Sequence, residues 1–292
     1  MSKKSILVTG ANGQLGSEIK FLSANYPNYI FYFTDAPDLD ITDKEGIQKY
    51  LDHNHIDCII NCAAYTAVDK AESDVELADK INNIAVGFLA EAAQKKNISL
   101  IHISTDYIFD GMGHKPYQVD HHASPVNMYG KTKLEGEEKM IDISPMGSLI
   151  IRTSWVYSSF GGNFVKTMLR LGAERGELNV IADQVGAPTY ARDLARFILD
   201  NTLILNNKRV EVYHYTNEGV CSWYDFAKSI IKFGKIDCAI KPIPTTAYPT
   251  PAKRPYYSLM DKNSLKDKFK VEIPYWQDSL EDCIKIIQNV NS

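Results

Sequence analysis

The fold is decided by the stretch SILVTGANGQLGSE, at residues 5–18. An apolar run leads into Gly10, Gly13 and Gly16, and a helix-like sequence follows. Glycines at such a turn let the backbone approach a pyrophosphate, which rests on the helix N-terminus. The spacing is G-x-x-G-x-x-G and departs from the general G-x-G-x-x-G fingerprint. We predict a dinucleotide-binding unit here, the alternative being an ordinary strand-to-helix turn.

The rest of the amino-terminal half alternates strand-like and helix-like segments. Residues 29–35, 57–61 and 99–104 are apolar and strand-like, and residues 75–95 carry apolar positions at helical spacing. Near-continuous apolar strands separated by helices indicate a parallel sheet covered on both faces. Right-handed crossovers then give a doubly wound arrangement. We therefore predict the fold class α/β, with a parallel Rossmann-type sheet and a smaller C-terminal substrate-binding lobe.

Candidate site residues follow the ends of the predicted strands. They are Gly10, Asp35, the segment 63–65 and Thr105. Ligands of doubly wound sheets bind outside the carboxyl ends of the strands, and an acidic residue about 20 positions after the glycines fits a ribose contact. Asp35 should repel a 2′-phosphate, and residues 36–38 supply no Arg or Lys. We expect NADH to be used at least as well as NADPH.

A candidate proton donor lies in the run MYGKTK, at residues 128–133. Tyr129 and Lys133 are spaced i, i+4, so on a helix they share one face. An ammonium next to a phenol should lower the phenol pKa from about 10, which suits a proton donor near neutral pH. Thr105 or Ser104 supplies a hydroxyl that can polarise the same substrate oxygen. In a chain with 17 tyrosines, the spacing Tyr-x-x-x-Lys by itself usually marks a surface pair. The catalytic interpretation therefore depends on the dinucleotide motif near the amino terminus.

Composition limits the classes of partner. The chain has 292 residues, 45% of them apolar, and a formal net charge of −4. This balance offers no basic field for nucleic acid, and no long apolar stretch or signal peptide is present. The five cysteines are odd in number and scattered, which favours a reduced, cytoplasmic setting. The histidines have no cysteine pair at zinc-finger spacing, so we expect no metal site.

No clear linker divides the chain. We expect residues 1–154 to form mainly the NAD(P)-binding Rossmann domain. Residues 155–292 would form mainly the substrate-binding lobe, with some segments returning to the Rossmann core. The substrate cleft would lie between the two.

Seven motifs together resemble the dTDP-4-dehydrorhamnose reductases, a family of extended short-chain dehydrogenases/reductases. They are GANGQLG, NCAAYTAVDKAE, STDYIFDG, YGKTKLEGE, RTSWVY, DQVGAPT and TTAYPTPAKRP. The resemblance runs from about residue 5 to the C-terminal helix, and the last three motifs are the most specific. It implies reduction of the 4-keto group of dTDP-4-dehydro-β-L-rhamnose by NADH or NADPH, the last step of dTDP-rhamnose synthesis.

The resemblance also implies residue roles. Tyr129 would be the proton donor, Lys133 would tune it and hold the nicotinamide ribose, and Thr105 would hydrogen-bond the reacting oxygen. Asp106 and Trp155 would contact the sugar. The candidate cofactor contacts are Gly10, Gly13, Gln14, Leu15, Asp35, Asp40, Ile41, Ala63, Ala64, Tyr65, Thr66, Tyr129 and Lys133.

Arg254 is a further candidate for substrate binding, and it, Trp155 and Asp40 have plain structural alternatives. Trp155 can be a core aromatic. Asp40 can cap a helix that begins near Asp43. Arg254 follows a proline-rich loop and can be a surface charge, although a guanidinium suits a diphosphate.

Two other classes of function remain open. A non-enzymatic regulatory relative would keep the fold and the cofactor site. Another nucleotide-sugar ketoreductase or epimerase would keep the catalytic residues, whereas dehydratases of the superfamily carry an Asp-Glu pair after the threonine. Here Thr105 is followed by Asp106 and Tyr107, so that pair is incomplete.

The resemblance raises the question of magnesium. Some members dimerise through Mg²⁺ held by two glutamates, and Glu18 matches the first position. Arg192 stands at the second, and a guanidinium cannot ligate Mg²⁺, which takes oxygen ligands. Asp193 is rotated by about 100° on a helix. We expect no metal-bridged dimer, and either a monomer or a metal-independent homodimer.

Overall fold

The computed structural model describes residues 3–203 and 205–290. The strands are β1 (Lys4–Thr9), β2 (Tyr29–Thr34), β3 (Cys58–Asn61), β4 (Ser99–Thr105), β5 (Leu149–Thr153), β6 (Val156–Tyr157), β7 (Glu177–Ile181), β8 (Val185–Gly186), β9 (Thr189–Tyr190), β10 (Glu211–His214), β11 (Cys221–Ser222) and β12 (Ala239–Ile243). The helices are α1 (Gln14–Leu22), α2 (Lys44–His53), α3 (Val68–Ala71), α4 (Val75–Asp79), α5 (Ala85–Lys96), α6 (Met128–Ile143), α7 (Phe164–Glu174), α8 (Ala191–Asn201), α9 (Trp223–Gly234), α10 (Asn263–Phe269) and α11 (Trp276–Val290).

Six parallel strands form the central sheet, in the order β10-β5-β4-β3-β1-β2. The chain winds from β1 to β2 in one direction and returns to β3 on the other side of β1. This reversal is the switch point at which doubly wound sheets bind ligands. The predicted fold class, a doubly wound parallel α/β sheet, is confirmed.

Helices cover both faces of the sheet, as the apolar strands predicted. Ile6 and Val8 of β1 belong to a buried cluster with Leu194 of α8, whereas Leu7 belongs to the opposite cluster with Leu89 of α5. Successive side chains of a strand point to opposite faces. A strand that is buried on both faces must therefore be apolar at every position, which is why β1 shows no alternation.

The carboxyl-terminal half contributes to two regions. The strand β10 extends the central sheet and α8 packs on the same face as α1. A separate apolar cluster joins α7, α9 and α11 through residues that include Val165, Phe226 and Leu280. No helix within the described ranges is long and apolar enough to cross a membrane.

The region predicted as one helix over residues 75–95 is interrupted. A π-helical turn, Lys80–Ile84, separates α4 from α5. Single π turns insert an extra residue and often occur at functional sites. Here the turn directs Asn82 toward the loop after β3, where its amide bonds both backbone groups of Tyr65. Helical periodicity of apolar residues does not reveal one added residue, so the sequence analysis missed the interruption.

A buried ion pair attaches α6 to the sheet. Arg152 of β5 donates from Nη2 to Glu137 Oε2 at 2.7 Å, and from Nε to the same carboxylate at 3.0 Å. Its Nη1 donates to the carbonyl of Val119 at 2.9 Å. The two side chains are 8% and 1% exposed. Loss of either partner would leave a buried charge without compensation.

We predict that Arg152→Ala lowers the free energy of unfolding by about 3–5 kcal/mol, the usual cost of leaving one buried charge unpaired. Arg170→Ala is the matched control, because Arg170 pairs with Glu174 at 3.1 Å on the exposed surface of α7. That variant should lose about 0.5 kcal/mol or less. Chemical denaturation of both variants measures the difference, and equal losses would contradict this assignment.

Candidate active site

The turn after β1 forms a cradle bounded by backbone. Gly10 has a φ of +63°, and a Cβ there would lie 2.6 Å from the backbone nitrogen of Ala63. Only glycine fits this left-handed, crowded position. Gly13 is the N-cap of α1 and has no side chain to bond the first-turn N–H groups. These donors and the helix dipole suit a pyrophosphate, so the cradle fits a dinucleotide.

Gln14 and Leu15 begin α1 and face inward. The Gln14 amide donates to the carbonyl of Val156 at 3.4 Å, and Leu15 is buried in the sheet core. A cofactor phosphate would therefore meet their backbone N–H groups rather than the side chain of Leu15.

The acidic residue after β2 lies beside this cradle. Asp35 accepts hydrogen bonds from the backbone nitrogens of Asn12, at 3.0 Å, and Ala36, at 2.9 Å. These contacts hold the carboxylate next to the glycine turn at the switch point. Asp35 therefore lies beside the glycine turn, and its contact with a ribose hydroxyl stays a prediction.

Asp40 and Ile41 follow in the next loop. Asp40 accepts from the backbone nitrogen and the hydroxyl of Thr42, both at 2.8 Å, and these bonds lower its pKa. Asp43, whose carboxylate accepts from the nitrogen of Glu45, is the cap of α2. The alternative role of Asp40 as a helix cap is therefore wrong. Ile41 is buried against the sheet.

The segment Ala63 to Thr66 is held on two sides. Asn61 accepts from the nitrogen of Ala63 at 3.2 Å, and Asn82 accepts from the nitrogen of Tyr65 at 2.9 Å. Ala64 lies between these anchors, and Thr66 is exposed. The segment follows the carboxyl end of β3 and lies against the glycine turn, where Ala63 meets Gly10.

Tyr129 and Lys133 lie on one face of α6, as predicted. The Asn127 side chain caps the helix by accepting from the nitrogen of Gly130 at 2.8 Å. A Cβ on Gly130 would lie 2.1 Å from the carbonyl oxygen of Tyr107, so α6 begins in close contact with the segment after β4. Thr105, the last residue of β4, is thereby brought to the Tyr129 phenol.

The pKa of Tyr129 is raised to about 12, chiefly by burial, although the Thr105 hydroxyl opposes the shift. The prediction that Lys133 lowers this pKa is wrong in this structure. Lys133 Nζ instead donates to the carbonyl of Ile103 at 2.6 Å and lies 3.3 Å from Nε2 of His102. The phenol is therefore protonated at neutral pH, which is the form a proton donor needs.

Asp106 presents a buried acceptor beside Thr105. Its Oδ1 accepts from the Thr105 hydroxyl at 3.0 Å, whereas Oδ2 is buried with no hydrogen-bond partner among the described residues. Burial raises the pKa of Asp106 to about 7. Ser104 Oγ is likewise buried and unpartnered within the described part of the chain. The Ser258 hydroxyl lies near enough to this carboxylate to oppose the rise in its pKa, although it does not meet the distance and angle of a hydrogen bond to Oδ2. Buried polar atoms normally have partners, so a ligand hydroxyl at Oδ2 would compete with Ser258.

Trp155 is held rigidly at the far side of the site. Its ring stacks on Trp223 with centroids 3.7 Å apart, and its backbone has a φ of +48°. Non-glycine residues rarely adopt this left-handed conformation, and they concentrate at functional sites. The ring is partly exposed, so Trp155 combines core packing with an accessible aromatic surface.

Arg254 is not a free surface charge. Its guanidinium donates to both carboxylate oxygens of Asp69, at 2.9 Å and 2.7 Å. Asp69 belongs to the NCAAYTAVDKAE motif, so this pair joins the proline-rich loop to the segment after β3. A diphosphate contact by Arg254 would have to share the guanidinium with Asp69.

Sequence reasoning missed three buried polar residues that support the site: Asn61, Asn82 and His102. His102 interrupts the otherwise apolar start of β4, and Asn61 is the last residue of the buried strand β3. A polar residue within a strand that is buried on both faces is a signal that could have identified them, because such a group requires a partner.

Glu18 and Arg192 form a second buried ion pair. Arg192 Nε donates to Glu18 Oε2 at 2.7 Å, and the hydroxyl of Ser158 donates to Oε1 at 2.6 Å. Both carboxylate oxygens are engaged, and Glu18 is fully buried. Asp193 instead accepts from Asn217 and Ser279. Within the described residues, no group of three or more His, Cys, Asp or Glu side chains is placed to hold a metal ion.

Comparison with known proteins identifies relatives over nearly the whole chain. Residues 4–289 match the family described as the RmlD substrate binding domain. The dTDP-4-dehydrorhamnose reductase of Aggregatibacter actinomycetemcomitans is 40% identical over 286 residues, covering 95% of this chain and 97% of that protein.

The same family is found among solved structures. The crystal structure of a dTDP-4-dehydrorhamnose reductase from Clostridium acetobutylicum is 42% identical, with a TM-score of 0.91, and covers 97% of this chain and 99% of that one. The dTDP-4-dehydrorhamnose reductase of Bacillus anthracis, solved in complex with NADP, is 38% identical with a TM-score of 0.91 and the same coverage.

We predict that neither EDTA nor added Mg²⁺ changes the sedimentation coefficient of the protein. Arg192 already neutralises Glu18, and its positive charge would repel the cation. Sedimentation velocity with chelator, with Mg²⁺ and with neither measures this directly. A dimer that dissociates only in EDTA would contradict the prediction.

Proposed function

Because the chain belongs to the dTDP-4-dehydrorhamnose reductase family, we infer that it reduces the 4-keto group of dTDP-4-dehydro-β-L-rhamnose to dTDP-β-L-rhamnose with NAD(P)H. It is an oxidoreductase of the last step of dTDP-rhamnose biosynthesis. The observation that carries the reaction is the meeting of Thr105 and a protonated Tyr129 beside a turn built for a pyrophosphate.

Proton transfer is the task of Tyr129. The bound dihydronicotinamide supplies the hydride to C4 of the sugar. Tyr129 donates its phenolic proton to the 4-keto oxygen, and the Thr105 hydroxyl hydrogen-bonds that oxygen as negative charge develops. Burial keeps the phenol protonated until a substrate arrives.

Cofactor binding is assigned to four segments. The Gly10–Leu15 turn would hold the pyrophosphate, Asp35, Asp40 and Ile41 would flank the adenosine, and Ala63 to Thr66 would line the path to the nicotinamide. Lys133 would hold the nicotinamide ribose. The Asn61 and Asn82 side chains accept hydrogen bonds from the backbone nitrogens of Ala63 and Tyr65. These bonds support the proposal because they hold the segment from Ala63 to Thr66 in place.

Substrate binding is assigned to Thr105, Asp106 and Trp155. The unpaired Oδ2 of Asp106 would accept from a sugar hydroxyl, and the partly exposed ring of Trp155 would pack against the sugar. Arg254, held by Asp69, would reach the diphosphate. We keep the division into a Rossmann domain over 1–154 and a substrate lobe over 155–292 as part of this proposal.

The two other functions would leave different signatures. A regulatory relative would bind a dinucleotide without turnover, and an epimerase would recycle its cofactor. Net consumption of NAD(P)H with the dTDP-4-keto sugar distinguishes the reductase from both. Another nucleotide-sugar ketoreductase would also consume NAD(P)H, and identification of the product as dTDP-β-L-rhamnose separates it. We further propose a cytoplasmic location and no nucleic-acid partner, on the composition of the chain.

Tyr129→Phe should lower turnover by about 10²-fold or more, the scale of general acid catalysis, with dinucleotide affinity retained. Tyr107→Phe is the matched control, because its ring packs edge-to-face on Tyr129 with centroids 5.5 Å apart. That control should stay within a few-fold of the unmodified protein. Steady-state turnover and dinucleotide titration measure the two effects, and near-normal turnover in Tyr129→Phe would refute the proton-donor role.

NADH should be used at least as well as NADPH, because the Asp35 carboxylate accepts from a ribose hydroxyl and repels a 2′-phosphate. Asp35→Asn keeps an oxygen for the nitrogen of Asn12 and removes the charge, so it should shift the kcat/KM ratio toward NADPH. Measuring kcat/KM with both cofactors for both proteins tests this. A strong NADPH preference in the unmodified protein would overturn the argument.

A further inference from the structure

A chain of buried polar side chains runs beneath the site and ends at Lys133. Thr9 of β1 donates to Asn61 Oδ1 of β3 at 2.7 Å. Asn61 Nδ2 lies 3.0 Å from Nδ1 of His102 on β4, and His102 Nε2 lies 3.3 Å from Lys133 Nζ on α6. All four residues are at most 1% exposed. Side-chain contacts across three neighbouring strands thus link Thr9 of β1 to Lys133, the proposed catalytic lysine.

The orientation of the Asn61 amide follows from its neighbours. The backbone nitrogen of Ala63 is only a donor, and it bonds Asn61 Oδ1 at 3.2 Å. A flipped amide would place an NH₂ group against this N–H. Oδ1 must therefore face Ala63, and the NH₂ group must face His102.

This orientation determines the tautomer of His102. Nδ1 accepts the hydrogen bond from Asn61 and so carries no proton. Burial is the larger cause that holds the pKa of His102 well below its usual value, and the Lys133 charge, while present, adds to it. The ring is therefore neutral whether or not Lys133 keeps its proton. A neutral imidazole carries one proton, which must lie on Nε2 and point toward Lys133.

Lys133 then faces a donor. Its Nζ donates to the carbonyl of Ile103 at 2.6 Å, and on the other side it meets the Nε2–H of His102. An ammonium has three donors and no lone pair, whereas a neutral amine can accept from this N–H.

We propose that Asn61 and His102 are positioning residues that make Lys133 release its proton far more readily than an ordinary lysine, by directing a locked imidazole N–H at its nitrogen. The proton leaves Nζ for solvent, and the freed lone pair accepts the hydrogen bond from His102. Negative charge brought by a dinucleotide would favour its return.

Of the other groups facing Lys133, only the Glu137 carboxylate opposes this assignment, and burial outweighs it. Burial already lowers the pKa of Lys133 to about 8, against the raising effect of Glu137 on the same helix. The Glu137 carboxylate is itself paired with Arg152 from β5. Tyr129, one helical turn before Lys133, is a neutral phenol at neutral pH because its pKa is raised to about 12. The Nε2–H of His102 on β4 therefore lowers the pKa of Lys133, as burial does.

The test begins with ¹⁵N NMR of the histidine rings in the unmodified protein, with no dinucleotide or substrate added. Two-bond correlations show which ring nitrogen carries the proton. We expect Nε2 of His102 to be protonated and Nδ1 to be bare at pH 7 to 9. A proton on Nδ1 would overturn the proposal whatever the variants do.

The second measurement is the titration of Lys133, followed by NMR of labelled lysine and assigned with Lys133→Met. His102→Phe keeps a ring and removes the N–H. Lys133 should then titrate about one pH unit or more higher, although its surroundings are more apolar. An unchanged or lower titration point would show that burial alone acts, and would overturn the proposal.

Thr9→Val is the matched control. It removes one donor to Asn61 Oδ1 but leaves the Ala63 nitrogen, which determines the amide orientation. The His102 tautomer and the Lys133 titration should both stay unchanged, and a shift in either would count against this assignment. The role of Lys133 in turnover rests on the proposed function. The NMR measurements of the His102 tautomer and of the Lys133 titration need neither cofactor nor substrate, so this proposal and the proposed function can fail separately.

Discussion

The site depends on how closely α6 approaches the segments that surround it. A Cβ on Gly130 would lie 2.1 Å from the carbonyl oxygen of Tyr107, and one on Gly136 would lie 2.1 Å from that of Asn82. The helix therefore contacts the end of β4 at its first turn and the π-helical turn two turns later. Because α6 carries Tyr129 and Lys133, these two contacts bring Tyr129 to Thr105 and Lys133 to the backbone of Ile103.

Burial then determines the charge state of the groups that this packing brings together. It raises the pKa of Tyr129 to about 12 and that of Asp106 to about 7, and it lowers that of Lys133 to about 8. Each shift favours the uncharged form, as low dielectric requires. Tyr129 is therefore protonated at neutral pH, the form that the proposed proton donor requires.

Two buried ion pairs show how the same chain places full charges inside. Arg152 with Glu137 joins the sheet to α6, and Arg192 with Glu18 joins α8 to α1. In both, a guanidinium donates to the carboxylate over a short distance, which offsets part of the desolvation cost. The second pair engages Glu18, the side chain that the family resemblance marks as a possible metal ligand, so a guanidinium supplies the positive charge beside it.

The sequence alone predicted the doubly wound fold and the placing of Tyr129 and Lys133 on one helix face, because apolar strands and i, i+4 spacing are local properties. It also singled out the glycine turn and the carboxylate after β2, whose cofactor contacts stay predictions. It also placed Arg192 opposite Glu18, although it did not reveal that they bond. Four features depended on the tertiary structure. They are the π-helical turn at Asn82, the contact of Arg254 with Asp69, the upward shift of the Tyr129 pKa, and the chain of buried polar side chains that ends at Lys133. These features depend on burial and on which strands lie side by side, and residues 9, 61, 102 and 133 come together only when β1, β3, β4 and α6 pack. No local pattern carries that information, since a hydrogen bond between residues far apart in the chain exists only after the sheet has formed.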